Sequence, residues 1–223
     1  MNVQTIPSVQ AAADSLLIRH SLLSQGYFAN LQAGKMERAS FVNSQRQFYH
    51  AVTFFSRAMA ALMARLPNSA SRQVLMHNLA EEHGWDDEGQ QGFRASMAHD
   101  FTFRAFLERL GVEPAPEGPE VRAFNLALYG ACTCESTALA FACLGMIEYA
   151  FADISALIGE AVAANGWIEP AEMVHYTVHA AIDKGHAAQF FGSIEGACRH
   201  EVESGLELGW YIFRQLYQNL SYL

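Results

Sequence analysis

His179, Asp183 and His186 are the residues whose types and spacing most directly suggest chemistry. At about 100° per residue of an α-helix they project at roughly 0°, 40° and −20°, so all three leave one face. Two imidazoles and a carboxylate on one face are a usable ligand set for Fe, Mn or Zn. Their neighbours Val178, Ile182, Phe190 and Phe191 are apolar, which turns that face inward. A His-rich helix also produces such spacings by chance, so other segments must supply partners.

A buried metal pair needs more than three ligands, and helical bundles supply them from facing helices. Glu148 follows Ser136 to Ile147, an uncharged run of 12 residues. A carboxylate in so apolar a setting is costly unless it is paired, protonated or metal-bound. The competing reading puts Glu148 on a polar face with Asp153 and Glu160. Glu82 shares the face of Leu75 and Leu79, whereas Glu81 points more to the side. His99 opens an aromatic-rich helix and can face the same centre. His77, His83 and His175 are competing nitrogen donors.

The elements that must position these residues are helical. Pro7, Pro67, Pro114, Pro116, Pro119 and Pro170 divide the chain into segments with helical periodicity. Ser8 is placed to cap a first helix reaching about Leu31. A second runs from Glu37 to Leu66 and carries an aromatic stripe that suits either core or an aromatic substrate pocket. A third spans roughly Ser71 to His83. The polar, glycine-rich Gly84 to Gly92 reads as an irregular connection. Helical pattern resumes near Ala95 and stops at Gly111. After a proline-rich linker, a long helix or helix pair covers Val121 to Ala164. Pro170 suits the first turn of the next helix, which carries the opening motif. A last helix covers about Ser193 to Asn219. The reading is an all-α bundle of about seven helices in one domain, residues 1–223. Gly185 within a helix costs roughly 1 kcal/mol relative to alanine, which a local widening of the turn would make tolerable.

The formal net charge of −9 and the absence of any cluster of Lys and Arg argue against nucleic acid as a partner. The 12-residue apolar run is too short to span a bilayer. No secretory signal is visible, and the four cysteines, Cys132, Cys134, Cys143 and Cys198, form no C-x-x-C pair. A cytoplasmic protein with reduced thiols is expected. Charged residues are only 17%, which suits a homodimer.

Several motifs together resemble the haem-oxygenase-like diiron oxidases, relatives of the TenA, PqqC and CADD-like proteins. They are Asn78-Leu79-Ala80-Glu81-Glu82, His99 with Phe106 and Leu110-Gly111, Glu148, and His179, Asp183 and His186 in H-x-x-x-D-x-x-H order. The resemblance runs from about His20 to the last helix. One departure is the spacing of 17 between Glu82 and His99, where Gly84 to Gly92 reads as an insertion; His83 is the alternative donor there. The resemblance implies a haem-oxygenase-like bundle in which Glu82, His99, Glu148, His179, Asp183 and His186 hold two irons, or Fe and Mn. O2 would be the co-substrate. The oxidised molecule would be a small amine, amino acid or carboxylic acid, and no catalytic residue beyond the ligands is implied. Some relatives consume their own tyrosine; here Leu23 stands where that tyrosine is expected and Tyr27 lies one turn on, so that chemistry is not expected.

Two other readings remain. A metal-free relative would be a hydrolase of thiamine-related aminopyrimidines using Cys132 or Cys134 as nucleophile, or a cofactor-free oxidase. A non-catalytic metal- or partner-binding bundle is the third. Arg57, Arg72 and Lys184 are candidates for holding a substrate carboxylate.

Overall fold

The computed structural model describes residues 8–86 and 92–223. Nine α-helices run through the described residues: α1 (Val9–Arg19), α2 (Gly26–Gln32), α3 (Arg38–Arg65), α4 (Ser69–Glu82), α5 (His99–Arg109), α6 (Pro119–Cys134), α7 (Thr137–Ala164), α8 (Val174–Gly192) and α9 (Arg199–Leu220). The all-α expectation holds, with more breaks than the sequence pattern suggested.

The breaks fall at particular residues. The expected first helix, Ser8 to Leu31, starts as anticipated, since Ser8 Oγ accepts from the Ala11 N–H at 3.2 Å. It stops at Arg19, where His20 leaves helical geometry (φ −139°, ψ 68°) and its carbonyl accepts from Trp210 Nε1 at 2.9 Å. A 3-10 turn, Leu22–Ser24, then leads into α2. The Val121 to Ala164 stretch is a helix pair: α6 ends at Cys134, and Ser136 caps α7 by accepting from the Leu139 N–H at 3.2 Å. Pro170 begins a 3-10 turn rather than α8 itself. The last helix begins at Arg199, after Ser193 has served as the C-cap of α8.

α7 is the central rod, packed against both α8 and α9. It is long and apolar enough to cross a membrane, with a mean hydropathy of 1.6, yet 83% of that window is buried inside the molecule. Glycine makes its close contacts possible. A Cβ built on Gly209 of α9 would lie 2.5 Å from the Cys143 carbonyl oxygen of α7. On the other side, a Cβ on Gly145 would meet the Phe191 ring of α8 at 2.6 Å. α7 and α8 are thereby drawn together at the level of Glu148.

The connection after α4 is more regular than expected. Gly84 takes φ +88°, a conformation that favours glycine, and its carbonyl accepts from the Arg94 N–H at 2.8 Å. Two short antiparallel strands follow, β1 (Trp85–Asp86) and β2 (Gly92–Phe93), pairing Trp85 with Phe93 and Asp86 with Gly92. The rest of the predicted irregular connection, 87–91, lies outside the described residues. α8 runs unbroken as α-helix through Lys184 and Gly185, so the expected widening is absent. No neighbouring atom lies within 4 Å of a Cβ built on Gly185, so only its propensity cost remains.

Candidate metal centre

Four helices bring the six candidate residues into one buried region. α4 ends with Glu82, α5 begins with His99, α7 presents Glu148 at its middle, and α8 presents His179, Asp183 and His186. His99, Glu148, His179, Asp183 and His186 are all buried, and the Glu82 side chain is 8% exposed. The shared face of α8 turns inward as its periodicity required.

The polar atoms contact one another closely. His99 Nδ1 lies 3.0 Å from Glu82 Oε1. His179 Nδ1 lies 2.9 and 3.0 Å from the two Asp183 carboxylate oxygens. His186 Nδ1 is 3.9 Å from Asp183 Oδ1, and its Nε2 is 2.8 Å from Glu81 Oε2. Glu148, Asp183 and His186 each offer a ligand atom, all within 4.8 Å of one another. The His99 and His179 rings are 4.3 Å apart between centroids.

Charge in this cluster is poorly balanced without a cation. Burial, with Asp183, Glu82 and Glu81 nearby, pushes the Glu148 carboxyl well above the usual carboxylate range, although His186 opposes this. Burial likewise pushes Asp183 well up, against the pull of His186 and His99. Burial would also raise Glu82, but His99, His179 and His186 outweigh it and hold that carboxyl low. Burial works against protonation of His99 as well, and there the Glu82 carboxylate wins and raises it. Burial and neighbouring imidazoles drive His179 and His175 well below the ordinary histidine value. His186 is desolvated too, yet Glu81, Glu148 and Asp183 raise it to about 9.

The residues fit a metal ion on three observations. His179 Nε2 is buried with no protein partner among the described residues, while its Nδ1 is held by Asp183. A histidine fixed at one nitrogen by a carboxylate, with the other nitrogen free, has the usual form of an oriented metal ligand. Burial and mutual repulsion raise two carboxyls, those of Glu148 and Asp183, a cost that a divalent cation would remove. The mixed N/O donor set suits iron or manganese better than a soft-ligand metal.

The competing donors are also placed. His83 is exposed at the C-cap of α4, with Nδ1 2.7 Å from the Leu79 carbonyl. His77 is half-exposed, 3.5 Å from Glu81. His175 lies one turn before His179, its ring 4.3 Å away, and its Nε2 also has no partner. Thr102 Oγ1 donates to the His99 carbonyl at 3.1 Å and sits 3.0 Å from His175 Nδ1, which therefore acts as donor to it. That leaves the His175 Nε2 lone pair without a partner among the described residues. Extending the helical count back one turn from His179 identifies His175 at the same face. Glu81 was expected to point aside, and instead it reaches His186. Leu79 and Leu75 describe the inward face of α4 too coarsely, because two successive glutamates at a helix end flank the same groove.

Two cavities adjoin the cluster. The first, about 410 Å³ including its mouth, is lined by Phe48, Ala51, Val52, Phe55, Phe151 and Phe213 with Glu148 and His179 at its polar end. The aromatic stripe of α3 thus does both things considered for it: Phe41, Met59 and Leu62 are core, while Phe48, Val52 and Phe55 line this space. The second is a polar cleft lined by Tyr49, Thr53, Ser56, Arg57, Asp100 and Glu82. Of the three candidate carboxylate holders, Arg57 alone lines either cavity. Arg72 donates to the Leu66 carbonyl at 2.8 Å, and Lys184 pairs with Asp153 at 2.6 Å. Tyr27 is packed away in the core, its hydroxyl 2.6 Å from Ser44 Oγ and 2.9 Å from Gln45 Nε2.

The sequence profile of the iron-containing redox enzymes matches residues 43–211. The chain belongs to that family. The search of curated proteins returns no match. Among solved structures, a CADD-like protein of unknown function from Nostoc punctiforme superposes with a TM-score of 0.74 at 14% identity, covering 96% of each chain. A TenA homolog from Pseudomonas syringae gives 0.72 at 16% identity and 98% of each chain. A domain of unknown function with a heme oxygenase-like fold from Shewanella denitrificans gives 0.69 at 14%, over 95% of this chain and 88% of the other. At such identities these likenesses establish the fold. Membership of the iron-containing redox enzymes rests on the profile match, and the buried N/O cluster lies within the matched region.

Proposed function

We propose that this iron-containing redox enzyme is a non-haem diiron oxidase or oxygenase that uses O2 to oxidise a small organic molecule. The observation that carries this reading is the convergence of Glu82, His99, Glu148, His179, Asp183 and His186 from four helices into one buried cluster. These six side chains would hold two irons, or Fe and Mn. When bound, the metal pair supplies electrons for O2 reduction and an electrophilic site for the reaction.

The protein's own contribution is separable. Asp183 orients His179 through Nδ1, presenting Nε2 to the centre. Glu82 Oε1, 3.0 Å from His99 Nδ1, holds that ring beside it. Phe48, Phe55, Phe151 and Phe213 keep water from the face occupied by Glu148 and His179. They also offer an apolar surface to the part of the substrate that reacts. Arg57, at the neighbouring polar cleft, is placed to attract a carboxylate. A small amine, amino acid or carboxylic acid with an apolar portion suits the pair of cavities. The same reading has the protein acting as a homodimer in the cytoplasm, without nucleic acid or membrane as partner.

Nothing at the cavities favours a cysteine hydrolase. Neither Cys132 nor Cys134 lines the apolar pocket or the polar cleft. Burial pushes the Cys132 thiol up to about 12, which leaves it protonated and weakly nucleophilic. The test is O2 uptake by Fe(II)-loaded protein. The wild-type chain consumes O2 and Glu148→Ala does not. Uptake that is unchanged in Glu148→Ala and lost in a Cys132→Ala, Cys134→Ala double variant overturns the reading.

A further inference from the structure

We propose that His77 and Glu81 form the port through which a divalent cation is delivered to the centre; this rests on the metal-centre reading above. The two residues sit at i and i+4 on α4 and so share one face. His77 Nε2 lies 3.5 Å from Glu81 Oε2, which lies 2.8 Å from His186 Nε2, and His186 Nδ1 lies 3.9 Å from Asp183 Oδ1. Side-chain exposure falls along the same line, from 37% at His77 to 22% at Glu81, 6% at His186 and 0% at Asp183. Four metal-capable side chains therefore step from solvent to the core, each close enough to its neighbour for a ligand-by-ligand handover.

The chemistry of the steps suits a cation. The outer pair combines an imidazole with a carboxylate, a weak and exchangeable site for a borderline metal ion. The inner end meets the three atoms of Glu148, Asp183 and His186 that lie within 4.8 Å of one another. Asn78, on the same helix, donates to Gln189 of α8 at 3.1 Å and fixes α4 against α8 beside the ladder. The polar cleft at Glu82 is the other approach from solvent. It carries Arg57 as well as Asp100, so its field does not draw cations inward as a wholly acidic path does. Glu81 thus has a function distinct from Glu82: it passes the ion on, where Glu82 keeps it.

The port is tested with the metal-free full-length protein and Co(II), which substitutes for Fe(II) in such sites and reports by its visible absorption. Uptake is followed by stopped flow in wild type, His77→Ala, Glu81→Gln and, as an exposed control on the same helix end, His83→Ala. His77→Ala is expected to slow uptake about tenfold while reaching the wild-type final stoichiometry, the scale on which local charge and ligands raise on-rates. Glu81→Gln is expected to slow it as well, and His83→Ala to leave it unchanged. Wild-type rates in both His77→Ala and Glu81→Gln, with full loading, overturn the port alone. A His77→Ala variant that loads at the normal rate to a lower stoichiometry makes His77 a resident ligand and also overturns it. A wild-type chain that takes up no cobalt overturns the metal centre itself.

Discussion

His99 Nδ1 stands 3.0 Å from Glu82 Oε1, although the two residues are separated by a glycine-rich connection and a short hairpin. The hairpin returns the chain to its starting point, so α5 begins beside the end of α4. A long spacing in sequence becomes a direct contact, and the register of α5 behind His99 is preserved. Phe103 and Phe106 then fall into the core with His99 facing the centre.

This contact separates the two donors left open by the sequence. His99→Ala is expected to lower metal affinity by more than the roughly 10–100-fold typical of losing an outer-sphere partner. His83→Ala is expected to leave affinity unchanged, because His83 is exposed and bonded to its own helix. Isothermal titration of both variants with Mn(II) checks the pair.

Metal binding should strengthen with pH. Glu148 and Asp183 have raised values in the folded metal-free chain, so their contribution to its stability is full at low pH and is lost as pH rises past the ordinary carboxylate value. His186, raised to about 9, still carries its proton at neutral pH; its contribution is full below the ordinary histidine value and is lost as pH climbs to about 9. A bound cation displaces these protons. The gain in Tm on adding Mn(II) is therefore larger at pH 8 than at pH 6, with affinity rising about tenfold per pH unit for each proton released. Paired thermal melts at the two pH values measure it.

Glu148→Gln should distinguish a functional carboxylate from a structural one. Burial raises the native carboxyl in the metal-free chain, so the amide removes a charge that is costly to bury. The variant's metal-free Tm is expected to equal or exceed wild type while its metal content falls. Such a trade, stability kept and function lost, marks a residue retained for its chemistry.

Gly145→Ala should be costly for a different reason. The added methyl meets the Phe191 ring and Phe190 Cβ, at 2.6 and 3.2 Å, so α8 must shift or rings must turn. Overpacking of this kind costs about 1–3 kcal/mol, read from urea denaturation.

The fold class and the shared face of His179, Asp183 and His186 were legible because both rest on helical periodicity, whereas the full set of six came from the family resemblance. The inward face of α8 is a matter of counting by 3.6, and Glu148 stands out as the carboxylate that follows the 12-residue uncharged run. What was less legible has physical causes too. The break after Arg19 depends on Trp210, which is 190 residues away and invisible to a local pattern. Glu81 sits beside Glu82 at a helix end, where direction depends on how α4 docks on α8. Whether Phe48 and Phe55 line a cavity or fill a core is decided by facing helices, and not by their own spacing.

The measurement that tests the central claim most directly is the iron content of protein loaded anaerobically with Fe(II), followed by its visible spectrum on exposure to O2. The account predicts about two irons per chain, as in other bundle carboxylate centres, and a transient visible band on oxygenation. Protein that binds no iron, or binds it and shows no response to O2, would contradict it.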